Sequence, residues 1–336
     1  MTKFEGKMKT ERGLVRLMDS RQVGLRELVL GVDGGGTKTH AVIADDRQRV
    51  LGEGIAGPSN PLRVGIGSAA AAVREAIDKA CAAAAVQRAD IVAAEVGLAG
   101  VKLKDTRERM REMLSGLGIN LLEIVTDAEI ALFGATDGTQ GVVVIAGTGS
   151  ICCGVNARGQ RICAGGWGPI AGDEGSGSWI ARRALQRVAR AADGRGNATS
   201  LTTKACDYFN AATVADLSTM VYAPGVTNDY IAGFGKEVIE AAESGDAVAI
   251  EIVKEAGREL GIAAAAVIRR LHMERERFRV AYVGGVFAAG EFVLATLGEE
   301  VLRVAPQAYL APPALSPAIA ATRMAREHLH HLAVAV

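Results

Sequence analysis

The chain has 336 residues, which is long for a single hydrophobic core and favours two domains. Its 38 basic and 38 acidic residues give a formal net charge of zero, so it lacks the basic surface typical of nucleic-acid-binding proteins. The composition is 49% hydrophobic and only 4% aromatic, which is typical of tightly packed α/β layers. The apolar runs are shorter than a bilayer span. We therefore expect neither a nucleic-acid partner nor a membrane association.

The N-terminal segment 1–24 is charged and lacks the apolar core of a signal peptide. We interpret it as a mobile extension of a cytoplasmic protein. The chain has an odd number of cysteines and no C-x-x-C pair; they are Cys81, Cys152, Cys153, Cys163 and Cys206. A disulfide framework or a zinc site is therefore not expected, and reduced thiols are the default.

The first conspicuous stretch is "GVDGGGTKTHAV", residues 31–42. No frame through its glycines gives the dinucleotide fingerprint G-x-G-x-x-G. Gly31 and Gly36 have the spacing of a Walker A loop, but Thr37 stands where that loop needs lysine. Both motifs also lead into a helix, whereas the residues after Gly36 alternate and are β-branched, as in a strand. The pattern predicts a β-hairpin with the glycines at its tip.

The stretch "GVVVIAGTGSICCGVNARGQRICAGG", residues 141–166, repeats this order of strand, small-residue loop, strand, polar turn and strand. Its loop at 147–150 corresponds to the loop at 33–37, about 110 residues earlier, and such a repeat indicates duplication. One glycine hairpin alone is common in sheet proteins, but two in matching contexts favour two related domains. Each domain then contributes one hairpin to a shared cleft.

The other segments complete an α/β pattern. The predicted elements are a helix at 67–87, a strand at 89–100, an amphipathic helix at 102–118, a strand that becomes helical near Asp127, a mostly helical stretch, a strand with a glycine pair and a helix within 278–301, and a last helix after a proline.

Six motifs in this order resemble the N-acetylglucosamine kinase family, within the BadF/BadG-type ATPases of the actin-like ATPase and sugar-kinase superfamily. They are "GVDGGGTKT", "GPSN", "TDAEIALFGA", "IAGTGS", "GGWGPIAGDEGSGSWI" and "VGGVF". The resemblance runs from about residue 29 to 325, and the "GGWG…GDEGSG" block is its most specific part. It implies an α/β fold of two duplicated ribonuclease-H-like (actin-like ATPase) domains with a cleft between them. The N-terminal lobe would comprise 25–138 plus 316–336 and the C-terminal lobe 139–315.

Backbone amides of both glycine loops can surround phosphate because no Cβ obstructs its approach. The candidate ATP-binding residues are Asp33, Gly34, Gly35, Gly36, Thr37, Lys38, Gly147, Thr148, Gly149 and Ser150. Gly284 and Gly285 in "VGGVF" resemble an adenosine-binding turn. Asp33, at a strand end, is the candidate holder of Mg²⁺ through water. The alternative for Asp33 is an aspartate that only forms the turn before a glycine.

Phosphorylation of a sugar hydroxyl needs a base within hydrogen-bond reach. Asp127 follows an apolar strand and opens a helix, so it is either the base, an N-cap aspartate, or both. The resemblance makes it the base that acts on the 6-hydroxyl of the sugar. It also implies a set of sugar contacts: Asn60, Asp127, Thr148, Gly166, Trp167, Gly168 and Asp173. By themselves, Asn60 suits a turn and Trp167 a core, while Glu174 either shares the sugar contacts or caps the next helix.

The function that these residues favour is an ATP-dependent kinase of N-acetylglucosamine, with glucosamine and N-acetylmuramic acid as alternative substrates. The resemblance further implies a homodimer. A different class within the same group is an ATPase that activates an iron–sulfur dehydratase or reductase. Adjacent residues Cys152 and Cys153 would point to opposite faces of a strand, which is a poor arrangement for one cluster.

Overall fold

The computed structural model describes residues 27–334, so the predicted extension 1–24 lies outside the described residues. The chain divides into two compact units. The first unit runs up to Gly138 and resumes at Ala314, and the second comprises Thr139–Pro313.

The first unit contains a five-stranded sheet in the order β3-β2-β1-β4-β5. Its strands are β1 (Leu28–Gly34), β2 (Thr39–Ala44), β3 (Val50–Ala56), β4 (Ile91–Leu98) and β5 (Leu121–Thr126). The first three strands are antiparallel, whereas β4 and β5 run parallel to β1. The helices between them are α1 (Pro61–Val64), α2 (Ile66–Ala84), α3 (Lys104–Leu114) and α4 (Asp127–Thr136).

The second unit repeats this sheet in the order β10-β9-β6-β7-β8. Its strands are β6 (Gly141–Ala146), β7 (Ser150–Val155), β8 (Arg161–Gly165), β9 (Arg279–Val283) and β10 (Tyr309–Ala311). Again three antiparallel strands are followed by two parallel ones. The predicted duplication is therefore confirmed.

The helices of the second unit form a large apolar core against its sheet. They are α5 (Gly177–Ala192), α6 (Leu201–Phe209), α7 (Val214–Val221), α8 (Asn228–Glu243), α9 (Ala247–Arg270) and α10 (Glu291–Val304). The helix predicted directly after the glycine pair begins later than expected. A short 3-10 helix, Gly285–Ala289, intervenes because Gly284 and Gly290 have positive φ angles of 121° and 56° and interrupt the chain on either side.

A last helix, α11 (Pro317–Val334), returns to the first unit. It covers one face of the sheet, where Leu329 packs against Val29, while α2 covers the other face. With both faces covered, β1 is a nearly continuous buried apolar strand. A Cβ on Gly31 would lie 2.3 Å from the carbonyl oxygen of Ala318, so this glycine permits the close approach of α11.

The expectation that all cysteines are reduced is wrong for one pair. Cys153 on β7 and Cys163 on β8 are directly opposed in the antiparallel ladder and form a disulfide, with Cα atoms 4.1 Å apart. Directly opposed residues on neighbouring strands lie close enough to bond even without a C-x-x-C motif. Cys81, Cys152 and Cys206 are free thiols. No helix within residues 27–334 combines the length and apolar character needed to cross a membrane.

Candidate active site

Three strand ends in the first unit bring predicted site residues to one edge of the sheet. Gly34 on β1 is in register with Leu98 on β4, which is in register with Thr126 on β5. Asp33 and Asp127 flank the two ends of this row. The charge of Asp127 helps to raise the pKa of Asp33, although burial of the Asp33 carboxyl is the larger cause. The two carboxylates thus lie within electrostatic reach of each other.

The predicted first hairpin is present, with its loop at residues 35–38. The Gly35 N–H donates to the carbonyl oxygen of Lys38 over 3.0 Å and closes the turn. That amide is therefore occupied inside the hairpin. The N–H groups of Gly36 and Thr37 donate to no backbone carbonyl within residues 27–334. The amides of Gly36 and Thr37 can therefore face a ligand.

The "GPSN" loop is fastened to this hairpin by hydrogen bonds. The Ser59 N–H donates to the carbonyl oxygen of Gly35 at 3.0 Å, and the Thr39 hydroxyl donates to the carbonyl oxygen of Gly57 at 2.7 Å. The hydroxyls of Thr39 and Ser59 also bond to each other at 2.8 Å, in a buried position. A Cβ on Gly34 would lie 2.2 Å from Ser59 Oγ, so Gly34 permits this contact.

Asn60 follows that loop and forms the N-cap of α1. Its Oδ1 atom accepts a hydrogen bond from the Leu62 N–H at 3.0 Å. The same atom would lie 2.3 Å from a Cβ on Gly100, just beyond the end of β4. The structure therefore brings Asn60 to the sheet edge that carries Asp33 and Asp127.

Asp127 is the first residue of α4, and the N-cap is Thr126 instead. Thr126 and Glu129 form a capping box: the Thr126 hydroxyl accepts from the Glu129 N–H at 3.2 Å, and Glu129 Oε2 accepts from the Thr126 N–H at 2.8 Å. The N-cap alternative for Asp127 is therefore wrong, and the T-x-x-E spacing of "TDAE" is the signal that identifies Thr126.

The carboxylate of Asp127 reaches solvent, and its Oδ1 atom accepts the Ala128 N–H at 2.9 Å. Desolvation by surrounding protein raises the pKa of this carboxyl, and backbone N–H groups at the helix start act in the opposite direction. The helix therefore orients the Asp127 carboxyl, and its raised pKa means that it keeps its proton to a higher pH than an ordinary aspartate.

The donor set at this edge fits Mg²⁺. Mg²⁺ prefers oxygen ligands and is commonly held by one or two carboxylates together with water and substrate phosphates. Asp33 and Asp127 supply carboxylate oxygens, and a cation beside Asp33 would oppose the effects of its burial and of the charge of Asp127, which together raise the pKa of Asp33. Within residues 27–334 no group of three or more His, Cys, Asp or Glu residues is arranged to hold a metal ion.

The second hairpin, in the second unit, is supported from behind by the start of α5. The N–H groups of Gly177 and Ser178 donate to the carbonyl oxygens of Gly147 and Thr148 at 2.8 and 3.2 Å. The Ser150 hydroxyl donates to the carbonyl oxygen of Glu174 at 2.7 Å. The side chain of Ser150 thus holds the loop in place. The N–H groups of Gly177 and Ser178 are used in hydrogen bonds to the hairpin.

The glycine pair of "VGGVF" lies directly against this second hairpin. A Cβ on Gly284 would lie 2.2 Å from the carbonyl oxygen of Ala146, whereas around Gly285 there is open space. Gly285 lines a cavity of about 280 Å³ together with Gly147 and Thr148. The structure therefore brings three predicted nucleotide-binding residues to one pocket.

One wall of that pocket comes from α8, which sequence reasoning missed. Asp229, Gly233 and Lys236 line the cavity from this helix. A signal was present, because the pair Gly233 and Gly235 inside a helix costs stability and indicates a packing or functional reason.

The "GGWG" block is an irregular loop after β8. Gly166 and Gly168 have φ angles of 73° and 84°, and Trp167 between them is 75% exposed. Core filling is therefore the wrong interpretation of Trp167. The helix after this block is capped by Ser176, whose hydroxyl accepts from the Trp179 N–H at 3.2 Å, so Glu174 is not the cap.

Asp173 links this block to the second hairpin. It is buried, has a φ angle of 57°, and its carboxylate accepts backbone N–H groups of Ser150 and Gly168. Burial raises its pKa, and those two N–H groups oppose the shift. A Cβ on Gly149 would lie 2.7 Å from Asp173 Oδ2. Asp173 therefore orders both loops, and its predicted contact with sugar stays a prediction.

Known proteins resemble this chain over most of its length. An N-acetylmuramic acid/N-acetylglucosamine kinase from Clostridium acetobutylicum is 36% identical over 259 residues, covering 77% of this chain and 85% of that protein. An N-acetyl-D-glucosamine kinase from Dictyostelium discoideum is 30% identical over 313 residues, covering 89% and 98% respectively. The solved structure of a candidate N-acetylglucosamine kinase from Chromobacterium violaceum is 28% identical, with a TM-score of 0.73 and coverage of 89% and 98%.

The sequence profile of one family matches residues 30–322, which include both hairpins and the "GGWG" block. This match spans most of the chain and agrees with the two relatives above. The chain belongs to the BadF/BadG/BcrA/BcrD ATPase family.

Proposed function

We propose that this protein phosphorylates the 6-hydroxyl of N-acetylglucosamine with Mg²⁺-ATP. Its ATPase family and its similarity to amino-sugar kinases make it an ATP-dependent sugar kinase. The assignment of the substrate and of the residue roles is supported by one observation. Asp33, Asn60 and Asp127 lie with the glycine hairpin at one edge of the first sheet. These are the groups that a hydroxyl acceptor, a metal and a phosphate need.

Asp127 is the proposed general base. Its carboxylate takes the proton of the sugar 6-hydroxyl as the oxygen forms a bond to the γ-phosphorus of ATP. The bond from that phosphorus to the β,γ-bridging oxygen breaks, and ADP leaves with its electron pair. The position of Asp127 at the start of α4 orients the carboxylate, while its raised pKa makes it a better proton acceptor than an ordinary aspartate.

The nucleotide is proposed to use both hairpins. The free amides of Gly36 and Thr37 would contact phosphate, and the 280 Å³ cavity beside Gly285 would receive the adenosine. Asp33 would hold Mg²⁺ through water, with Asp127 nearby. When bound, the metal neutralises part of the phosphate charge.

The sugar contacts are proposed from the residues that the sequence resemblance identified. Asn60 in the first unit, and Thr148 and the loop of Gly166, Trp167 and Gly168 in the second, would bind hydroxyls or the 2-substituent. N-acetylglucosamine is preferred, with glucosamine and N-acetylmuramic acid as alternatives, since these sugars differ only at the 2-amino group or the 3-hydroxyl.

The test is an ADP-release assay with all three sugars, each over a range of concentrations. N-acetylglucosamine should give the highest kcat/KM. Asp127→Asn should lower kcat by about 100-fold or more while ATP binding is kept. Asp105→Asn is the matched control, because that aspartate is exposed on α3. Failure of every sugar to stimulate ADP release would contradict the kinase assignment, and near-normal activity of Asp127→Asn would contradict the base.

The iron–sulfur activator is not favoured by the cysteines of this chain. Cys152 is fully buried and burial strongly raises its pKa, while Cys153 and Cys163 are joined in a disulfide. A cluster shared between subunits needs accessible thiolates. Anaerobic reconstitution with iron and sulfide is expected to leave the protein without a cluster absorption band.

A further inference from the structure

The fold brings a second basic side chain, in addition to Lys38, to the tip of the first hairpin. Arg63 belongs to α1, three residues after Asn60. Its Nη1 and Cζ atoms lie 2.6 and 3.1 Å from the position that a Cβ on Gly36 would occupy. The guanidinium group therefore packs on the backbone of the hairpin tip.

This contact explains the glycine at position 36. Gly36 is not among the glycines with positive φ, so its backbone conformation alone would accept an alanine. What excludes a side chain there is the guanidinium of Arg63. A residue without a side chain is therefore favoured at position 36, because the guanidinium of Arg63, from another part of the chain, packs there.

Hydrogen bonds made by residues of the proposed site hold α1 in place. Asn60, the proposed sugar ligand, caps this helix, and the preceding loop is bonded to the hairpin through Ser59 and Thr39. Arg63 therefore connects the place where the sugar is proposed to bind with the tip where the phosphate is proposed to bind.

We propose that Arg63 is a catalytic residue that binds the γ-phosphoryl group of ATP while this group moves to the sugar hydroxyl; the inference rests on the proposed function. As the sugar oxygen bonds to phosphorus and the bridging oxygen leaves with ADP, negative charge spreads over the phosphoryl oxygens. The planar guanidinium can donate two hydrogen bonds to those oxygens. Asp127 takes the proton of the hydroxyl as that bond forms, so Arg63 exchanges no proton in the step.

The first test is steady-state kinetics of Arg63→Ala and Arg63→Lys with ATP and N-acetylglucosamine. Arg63→Ala should lower kcat by about 1000-fold or more, the lower end of the range for other arginines that stabilise this transition state, with KM values changed only a few-fold. Arg63→Lys should recover part of the loss, because it keeps the charge and lacks the fork. Of these variants, only Arg63→Ala should regain activity when guanidinium ion is added. Arg88→Ala, which removes a surface ion pair with Asp78, is the matched control.

A second variant moves the cation without deleting it. A Cβ at Gly36 meets the flexible end of Arg63, so Gly36→Ala should fold normally and displace the guanidinium. We expect a lower kcat at an unchanged melting temperature. A measurement independent of turnover is the binding of ADP with fluoroaluminate and sugar, which mimics the transferring phosphoryl group. Arg63→Ala should weaken this complex by at least about tenfold while the affinity for ADP alone is kept.

Three outcomes would overturn the inference: wild-type kcat in Arg63→Ala, a loss that guanidinium cannot restore together with a lowered melting temperature, or equal weakening of ADP and of its fluoroaluminate complex. In the last two cases Arg63 only supports the loop or binds the ground state. Failure of the proposed function is distinguishable, because the wild-type protein would then turn over no amino sugar.

Discussion

The two glycine hairpins occupy the same position in two sheets of the same topology, but their surroundings differ. The first loop contains Lys38, follows Asp33 on β1 and packs against Arg63. The second loop has no charge of its own and is backed by the start of α5. The duplication supplies the frame, and the side chains that reach each loop from elsewhere determine what it can do.

The hydrogen bonds that hold each loop in place differ as well. In the first unit, the hydroxyls of Thr39 and Ser59 and a backbone bond hold the neighbouring loop to the hairpin. In the second, Asp173 and the helix amides hold the loop from below, leaving the pocket beside Gly285. We infer that the first hairpin serves the chemistry and the second serves nucleotide binding.

The sharpest test of this division replaces one residue in each loop. Asp33→Asn should lower kcat by about 1000-fold, since charge stabilisation of the transferring phosphoryl group would be lost. Thr148→Ala should instead raise the KM values for ATP and for the sugar by up to about tenfold, the effect of one hydrogen bond, with little change in kcat. Both are read from initial-rate kinetics at varied ATP and sugar. Equal kcat losses in the two variants would contradict the division.

The second hairpin should depend on the glycine behind it. Gly284→Ala places a Cβ at 2.2 Å from a backbone oxygen and at a φ of 121°, so it should lower the free energy of unfolding by about 3 kcal/mol. Gly285→Ala meets no neighbouring atom and should change stability by less than about 0.5 kcal/mol. Urea unfolding of both variants provides the comparison, and a tolerated Gly284→Ala would mean that the turn is not seated on the hairpin.

The disulfide between β7 and β8 should stabilise only the second unit. It joins residues ten apart, and Cys163→Ser should lower the free energy of unfolding by about 2–3 kcal/mol under oxidising conditions. With reductant present the two proteins should converge. Cys206→Ser is the control, because that thiol is free. An intact mass that does not change on reduction would show that the bond is absent from the isolated protein.

The first unit should instead show a pH-dependent stability, the smallest of these effects. His328 on α11 contacts the buried Glu95 on β4 at 2.9 Å, and this partner raises the pKa of His328. Burial raises the pKa of Glu95, so the folded state holds more protons than the unfolded state in both cases. The contribution of His328 is fully present below about pH 6.5, its unfolded value, and is lost as pH rises through the raised folded value. The contribution of Glu95 has the same sign but is lost earlier, as pH rises from about 4.5 through its own raised value.

His328→Gln should flatten this slope, while His330→Gln, an exposed neighbour, should keep it. Chemical denaturation at several pH values measures both. Glu123 and Glu327 also act on His328, and each raises its pKa further. A wild-type slope that survives the loss of His328 would contradict this assignment.

Much of the site could be predicted because its signals are local. Glycines followed by β-branched alternation predict a hairpin, and an aspartate after an apolar strand predicts a group at a sheet edge. The N-cap alternative for Asp127 is wrong by one residue, although the T-x-x-E signal for Thr126 is equally local. Arg63 and the wall from α8 were missed for a different reason. Nothing in the spacing of a short helix indicates that its arginine reaches a glycine 27 residues earlier.

The sequence by itself determined the duplicated order of strands and loops, because turn residues and periodicity act over a few neighbours along the chain. Only the tertiary structure decided which side chains meet: that Cys153 pairs with Cys163 while Cys152 faces the core, that Gly31 admits α11, and that Gly36 admits Arg63. Strand register and helix packing set those distances, and neither is encoded in the local pattern of any one segment.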